Sequence, residues 1–208
     1  MITLPVFGFD RHRLATDGQG VTTLVGAFGC PLKCKYCLNP HAWDSKTLEK
    51  CKNMTPEELY DVIKKDDLYF KATGGGVCFG GGESLLHTAF LTKWKALCGD
   101  DWKLITETSL NVPLDLVKMS LSCVDEYIVD IKDMNPDIYK KYTLSDNANV
   151  FRNLKYLSEQ GITSKVTIRL PLIPGFNNKS DIAKSQKALE QMGFTNFDHF
   201  TYIIRQTK

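Results

Sequence analysis

From residue 21 onward, short apolar runs rich in β-branched residues alternate with longer stretches of helical period. Six runs read as strands: VTTLVGAF (21–28), GVCFG (76–80), WKLITET (102–108), EYIVDIK (126–132), KVTIRLPLI (165–173) and FDHFTYII (197–204). Their near-continuous apolar character suits strands covered on both faces, as in a parallel sheet. The helices between them have readable ends. Thr55 is placed to cap the helix beginning at Pro56, with Glu58 closing a capping box. Gly161 and Gly193 are placed as left-handed stops of two later helices. Six strand–helix units imply right-handed βαβ crossovers, hence an α/β barrel, an incomplete barrel or a doubly wound sheet.

In parallel α/β folds ligands collect at the carboxyl ends of the strands. Four unusual loops lie there: the cysteine-bearing stretch GCPLKCKYC (29–37), GGGES (80–84), ETS (107–109) and DIKDMN (130–135), with Arg169 late in the fifth strand. Composition narrows their setting. Of 208 residues, 43% are hydrophobic and 24% charged, the balance of a globular protein. The amino terminus has no signal-peptide pattern and no apolar run reaches the length of a membrane span, so cytoplasmic location is the expectation. Thiols stay reduced there, and clustered cysteines point to metal or chemistry rather than cross-linking. A net charge of +2 gives no argument for nucleic acid.

Cys30, Cys34 and Cys37 are spaced C-x3-C-x2-C with Tyr36 before the last. A structural zinc site takes four ligands, usually in paired clusters, and His41 is the nearby candidate for a fourth. Three thiolates suit a 4Fe-4S cluster that keeps one iron open to a ligand. Cys51, Cys78, Cys98 and Cys123 are dispersed and read as small buried hydrophobes.

The cysteine loop resembles the signature of the radical S-adenosylmethionine (SAM) superfamily. DGQGV (17–21), GGGVCFGGGESLL (74–86), VDIKDMN (129–135) and TIRLPLIPGFNN (167–178) resemble segments of glycyl-radical-enzyme activases, the pyruvate formate-lyase activating enzyme group, and the likeness runs over roughly residues 14–205. The resemblance implies a single domain over residues 1–208, a partial (β/α)6 barrel. It implies one 4Fe-4S cluster on Cys30, Cys34 and Cys37 that binds and reductively cleaves SAM. Gly81, Gly82 and Glu83 would receive the methionyl ammonium, and Lys132 and Arg169 the carboxylate and ribose. Tyr36 and Asn39 would face the adenine. Asp130, Glu107, Thr108 and the Ile128 carbonyl would match a Na+ or K+ site, and Asp17 and Gly18 would meet the protein substrate. The implied partners are a glycyl radical enzyme, which loses a glycine α-hydrogen, and a flavodoxin- or ferredoxin-like electron donor; oxygen sensitivity follows.

Three departures from the group's pattern stand out. ETSL (107–110) replaces the usual DTNG, no cysteine-rich ferredoxin-like insertion follows the cluster loop, and YIIRQTK (202–208) stands where a P-Y-H type segment usually continues. The last is the pattern of a minimal member, a substrate side completed by a partner, or a shortened chain. Two other readings remain open at this level: a radical SAM enzyme acting on another peptide, a nucleotide or a small metabolite, and a zinc-stabilised binding module.

Overall fold

The computed structural model describes residues 2–14, 16–202 and 204 of the chain. Ile203, in the last predicted strand, and the closing RQTK segment (205–208) lie outside them, as do Met1 and Ala15. In chain order the strands and α-helices are β1 (Leu4–Leu14), β2 (Val21–Ala27), α1 (Ser45–Leu48), β3 (Lys52–Met54), α2 (Pro56–Ile63), α3 (Asp67–Thr73), β4 (Gly76–Gly81), α4 (Thr88–Cys98), β5 (Lys103–Thr108), α5 (Leu114–Ser120), β6 (Glu126–Asp130), α6 (Pro136–Thr143), α7 (Ala148–Glu159), β7 (Val166–Leu172), α8 (Lys179–Gln191) and β8 (Asn196–Thr201). The strands form one mixed sheet in the order β3-β1-β2-β4-β5-β6-β7-β8, with β3 and β8 as its open ends.

All six predicted strands are present, and β2–β4, β4–β5 and β7–β8 pair in parallel. The two strands absent from the sequence reading, β1 and β3, are antiparallel additions beside β2. Lys132 falls just beyond β6 rather than within it. The Thr55–Glu58 capping box forms as expected, and Gly161 and Gly193 take φ of 68° and 89°. Cys78, Cys98 and Cys123 are buried, but Cys51 is partly exposed, because it sits at the turn between α1 and β3 rather than in an element interior.

The chain divides into two compact units. The first comprises Met1–Cys30, Asn39–Thr108 and Asp115–Ile128. Alternation along β4 sends Val77 and Phe79 to one face and Cys78 to the other, and all three are fully buried. On the helix side Phe79 meets Trp94 edge-on at 5.2 Å, and Trp102 takes Phe70 at 5.3 Å and Tyr60 at 5.1 Å. On the other face Cys78, Ile105 and Ile128 pack together with Leu24. Apolar contact on both faces is why these strands read as continuous hydrophobic runs.

The second unit comprises Pro31–Leu38, Ser109–Leu114 and Val129–Lys208. Its core holds Val166, Ile168 and Leu170 of β7, Val150, Leu154 and Leu157 of α7, and Leu189 and Phe194. Asn153 is fully buried on α7 and donates to the carbonyls of Leu110 and Val112, both at 2.8 Å. Those bonds clasp the segment after β5, where Leu110 has φ of 56°.

Candidate functional site

Within the first unit the loop after β2 is set by backbone bonds. Gly29 N–H donates to Ala42 O at 2.8 Å, Glu83 N–H donates to Gly29 O at 2.7 Å, and Gly82 N–H donates to Ala27 O at 3.1 Å. This approach requires glycine: a Cβ on Gly82 would lie 2.3 Å from Gly29 O and 2.5 Å from Ala27 O, both backbone atoms that have nowhere to move. Asn39 reaches the same turn, its side-chain amide donating to Gly81 O at 3.3 Å. The Glu83 carboxylate is buried and held by the Thr108 hydroxyl at 2.6 Å, and it accepts from Leu85 N–H at 3.3 Å. The Glu107 carboxylate lies over Gly80, where a Cβ would meet it at 2.5 Å.

His87 supports this loop and was missed in the sequence. Its Nε2 stands 2.7 Å from Phe28 O; a carbonyl can only accept, so Nε2 carries the proton. Burial pushes the His87 pKa below the usual histidine value, with the Phe28 bond opposing. The available signal was its position four residues after Glu83, at the end of the glycine-rich segment. His41, the candidate fourth zinc ligand, instead packs edge-on against Phe7 at 4.9 Å.

Asp17 and Gly18 lie elsewhere in this unit. A Cβ on Gly18 would touch the Ile105 side chain at 2.7 Å and Glu126 at 2.9 Å, and Gly20 abuts Gly75, so this loop meets the amino-terminal stretches of β4 and β6. Gly81–Glu83 and Thr108 mark the carboxyl ends of β4 and β5. Asp17 is buried and its carboxylate is engaged by Arg13.

In the second unit the Pro31–Leu38 segment is strapped to the end of α6: Lys33 N–H donates to Thr143 O at 3.0 Å and Lys35 N–H to Tyr142 O at 3.1 Å. Cys37 N–H turns back to Cys34 O at 3.2 Å. Burial pushes the Cys34 thiol up to about 11, opposed by the positive charge of Lys132. Tyr36 donates its hydroxyl to Pro174 O at 3.2 Å and packs edge-on against Phe176 at 5.6 Å. It thus bears on the proline–glycine turn singled out in the sequence. The Lys132 ammonium is buried, 3.3 Å from Asp130 Oδ2 and 2.7 Å from the Tyr202 hydroxyl. Burial alone would lower its pKa; Asp130 and Tyr202 more than reverse this, so it stays charged. Arg169 pairs with Asp198 across β7 and β8 at 3.6 Å.

Two observations favour a cluster and its ligand here. Cys30, Cys34 and Cys37 are in no disulfide and are neither fully buried nor fully exposed. Asp130 Oδ1 is buried with no hydrogen-bond partner, a position that a ligand or cation would complete. Among the described residues no three His, Cys, Asp or Glu side chains gather closely enough to hold a single metal ion. No helix among them is long and apolar enough to cross a membrane.

The sequence profile of the radical SAM superfamily matches residues 24–185, and the chain belongs to that superfamily of enzymes. Its sequence relatives are glycyl-radical-enzyme activases. It is 33% identical to the pyruvate formate-lyase-activating enzyme of Clostridium pasteurianum over 81% of this chain and 69% of that one. It is 28% identical to the (2S)-3-sulfopropanediol dehydratase activating enzyme of Klebsiella oxytoca, over 83% of this chain and 72% of that one. Solved structures agree on the fold: Streptococcus suis SuiB bound to its precursor peptide SuiA gives a TM-score of 0.66 at 12% identity, covering 89% of this chain and 41% of SuiB. SAM-bound anSMEcpe gives 0.61 at 18% identity, covering 83% of this chain and 49% of that one. The chain thus spans less than half the length of these structural neighbours.

Proposed function

We propose that this chain activates a glycyl radical enzyme by reductive cleavage of SAM at a 4Fe-4S cluster held by Cys30, Cys34 and Cys37. The observation that carries the reading is the three-thiol loop after β2, in a chain whose sequence relatives are activating enzymes. When bound, the cluster supplies the electron that splits SAM into methionine and a 5′-deoxyadenosyl radical, the agent that takes hydrogen from a glycine α carbon of the partner.

The chain's own residues bind, orient and shield. The Gly81–Glu83 turn offers backbone and a carboxylate to the methionyl ammonium, and Thr108 keeps that carboxylate from swinging away. Lys132 and Arg169 supply positive charge for the carboxylate and ribose. Tyr36 and Asn39 face the adenine, their polar ends held by Pro174 O and Gly81 O. Asp17 and Gly18 are given no role beside SAM: they lie at the amino-terminal ends of the strands, away from the Gly81–Glu83 turn, and Asp17 is buried against Arg13. A Na+ or K+ ion would draw on Asp130, Glu107, Thr108 and the Ile128 carbonyl. The chain works in the cytoplasm, where thiols stay reduced, and a flavodoxin- or ferredoxin-like protein supplies the electron.

The test is anaerobic reconstitution with iron and sulfide, followed by SAM, a strong reductant and a pyruvate formate-lyase or dehydratase of the glycyl radical class. Release of 5′-deoxyadenosine together with a persistent carbon-centred doublet in electron spin resonance is expected. A fully loaded protein that releases no 5′-deoxyadenosine overturns the cleavage, and release without any doublet on these partners moves the substrate to another class.

A further inference from the structure

Tyr202 is the first residue after β8, and its N–H donates to Leu172 O at 3.0 Å, which ties it to the end of β7. Its ring packs edge-on against Phe200 at 5.4 Å and lies 6.1 Å from that of Tyr142. So placed, its hydroxyl meets the Lys132 ammonium at 2.7 Å, and the ring centroid stands 5.4 Å from the same nitrogen. An ammonium has three N–H donors. One faces Tyr202 and one faces Asp130 Oδ2, at the longer distance of 3.3 Å.

That unequal sharing has a chemical consequence. Without the hydroxyl, a buried ammonium would close fully onto the neighbouring carboxylate, because a direct contact pair is the strongest interaction left to it. Both groups would then be spent on each other. With the hydroxyl present, Lys132 retains a donor for an incoming acceptor, and Asp130 keeps Oδ1 buried and unpartnered. A ligand group that both accepts and donates, as a ribose hydroxyl does, would satisfy the two at once.

We propose that Tyr202 is a positioning residue for SAM, acting through Lys132: its hydroxyl holds the ammonium off Asp130 so that both remain available to the bound ligand. This rests on the reading of the chain as a SAM-cleaving enzyme. No local pattern points to it, since a tyrosine at the end of an apolar strand is most simply core.

The experiment compares reconstituted wild type, Tyr202→Phe, Lys132→Gln and the double variant under anaerobic conditions. SAM affinity is read by equilibrium dialysis, and KM and kcat are read from 5′-deoxyadenosine release. Tyr202→Phe is expected to raise both Kd and KM roughly tenfold, the loss of one hydrogen bond to a charged group. Its kcat should stay within about twofold, with iron content and melting temperature unchanged. In the Lys132→Gln background the same change should add little further loss, since the partner through which Tyr202 acts is gone. Wild-type affinity in Tyr202→Phe, an undiminished effect in the Lys132→Gln background, or early melting with reduced iron would each overturn the proposal. Wild type that binds SAM in a Tyr202-dependent way yet releases no 5′-deoxyadenosine sinks the cleavage reading and leaves the positioning role standing. Wild type that cleaves SAM with no dependence on Tyr202 does the reverse.

Discussion

Leu144 has φ of 62° at the carboxyl cap of α6, and its side chain is largely exposed. A left-handed backbone costs a branched residue about 1–2 kcal/mol, whereas glycine adopts it freely. Leu144→Gly is therefore expected to stabilise the protein by about 1 kcal/mol, seen as a higher melting temperature. His87 makes a pH prediction. Its folded pKa lies below the unfolded value, so the unfolded chain binds more protons in mild acid. The stability it contributes is complete above the unfolded histidine pKa of about 6.5 and is lost as pH falls toward the lower folded value. Urea midpoints should decline below that pH in wild type and decline less in His87→Gln. At this scale the cysteines, Glu83 and Lys132 were legible because their chemistry is unusual for their surroundings. His87 and Tyr202 were not, because each acts through a contact with a residue distant in sequence, Phe28 O for one and Lys132 for the other.

Among elements, the capped helices and the six predicted strands of a mostly parallel sheet follow from local pattern, whereas β1 does not. LPVFGFDRHRL mixes a proline, a glycine and three basic residues, which is poor strand composition. It forms because its charges are answered from outside the strand: Arg11 Nε donates to Asp66 Oδ2 at 2.9 Å, and the Thr23 hydroxyl donates to the same oxygen at 2.9 Å. Burial alone would raise the Asp66 pKa; Arg11 and Thr23 reverse this and hold it below the ordinary carboxylate range. The clasp between α7 and the segment after β5 is likewise a matter of two elements meeting. Asn153→Ala removes an amide that serves two carbonyls and leaves a cavity, so a loss of about 3 kcal/mol in equilibrium unfolding is expected.

For the molecule as a whole, seven cysteines without a disulfide and one three-cysteine loop predict a single cluster. Cys37→Ala should abolish iron–sulfide loading and its visible absorption, while Cys51→Ala and Cys123→Ala should load as wild type does. Loading by either Cys37→Ala at wild-type level, or failure of Cys51→Ala, would count against one cluster on this loop. The family, the parallel α/β plan and the carboxyl-end location of the cysteine and glycine loops were determined by the sequence itself, because hydrophobic period, turn residues and thiolate spacing are local properties. Tertiary structure alone decided which groups share a charge. That Thr108 holds Glu83, that Arg13 engages Asp17, and that Tyr202 stands between Lys132 and full closure on Asp130 depend on strands brought side by side from distant positions, where burial makes every hydrogen bond count.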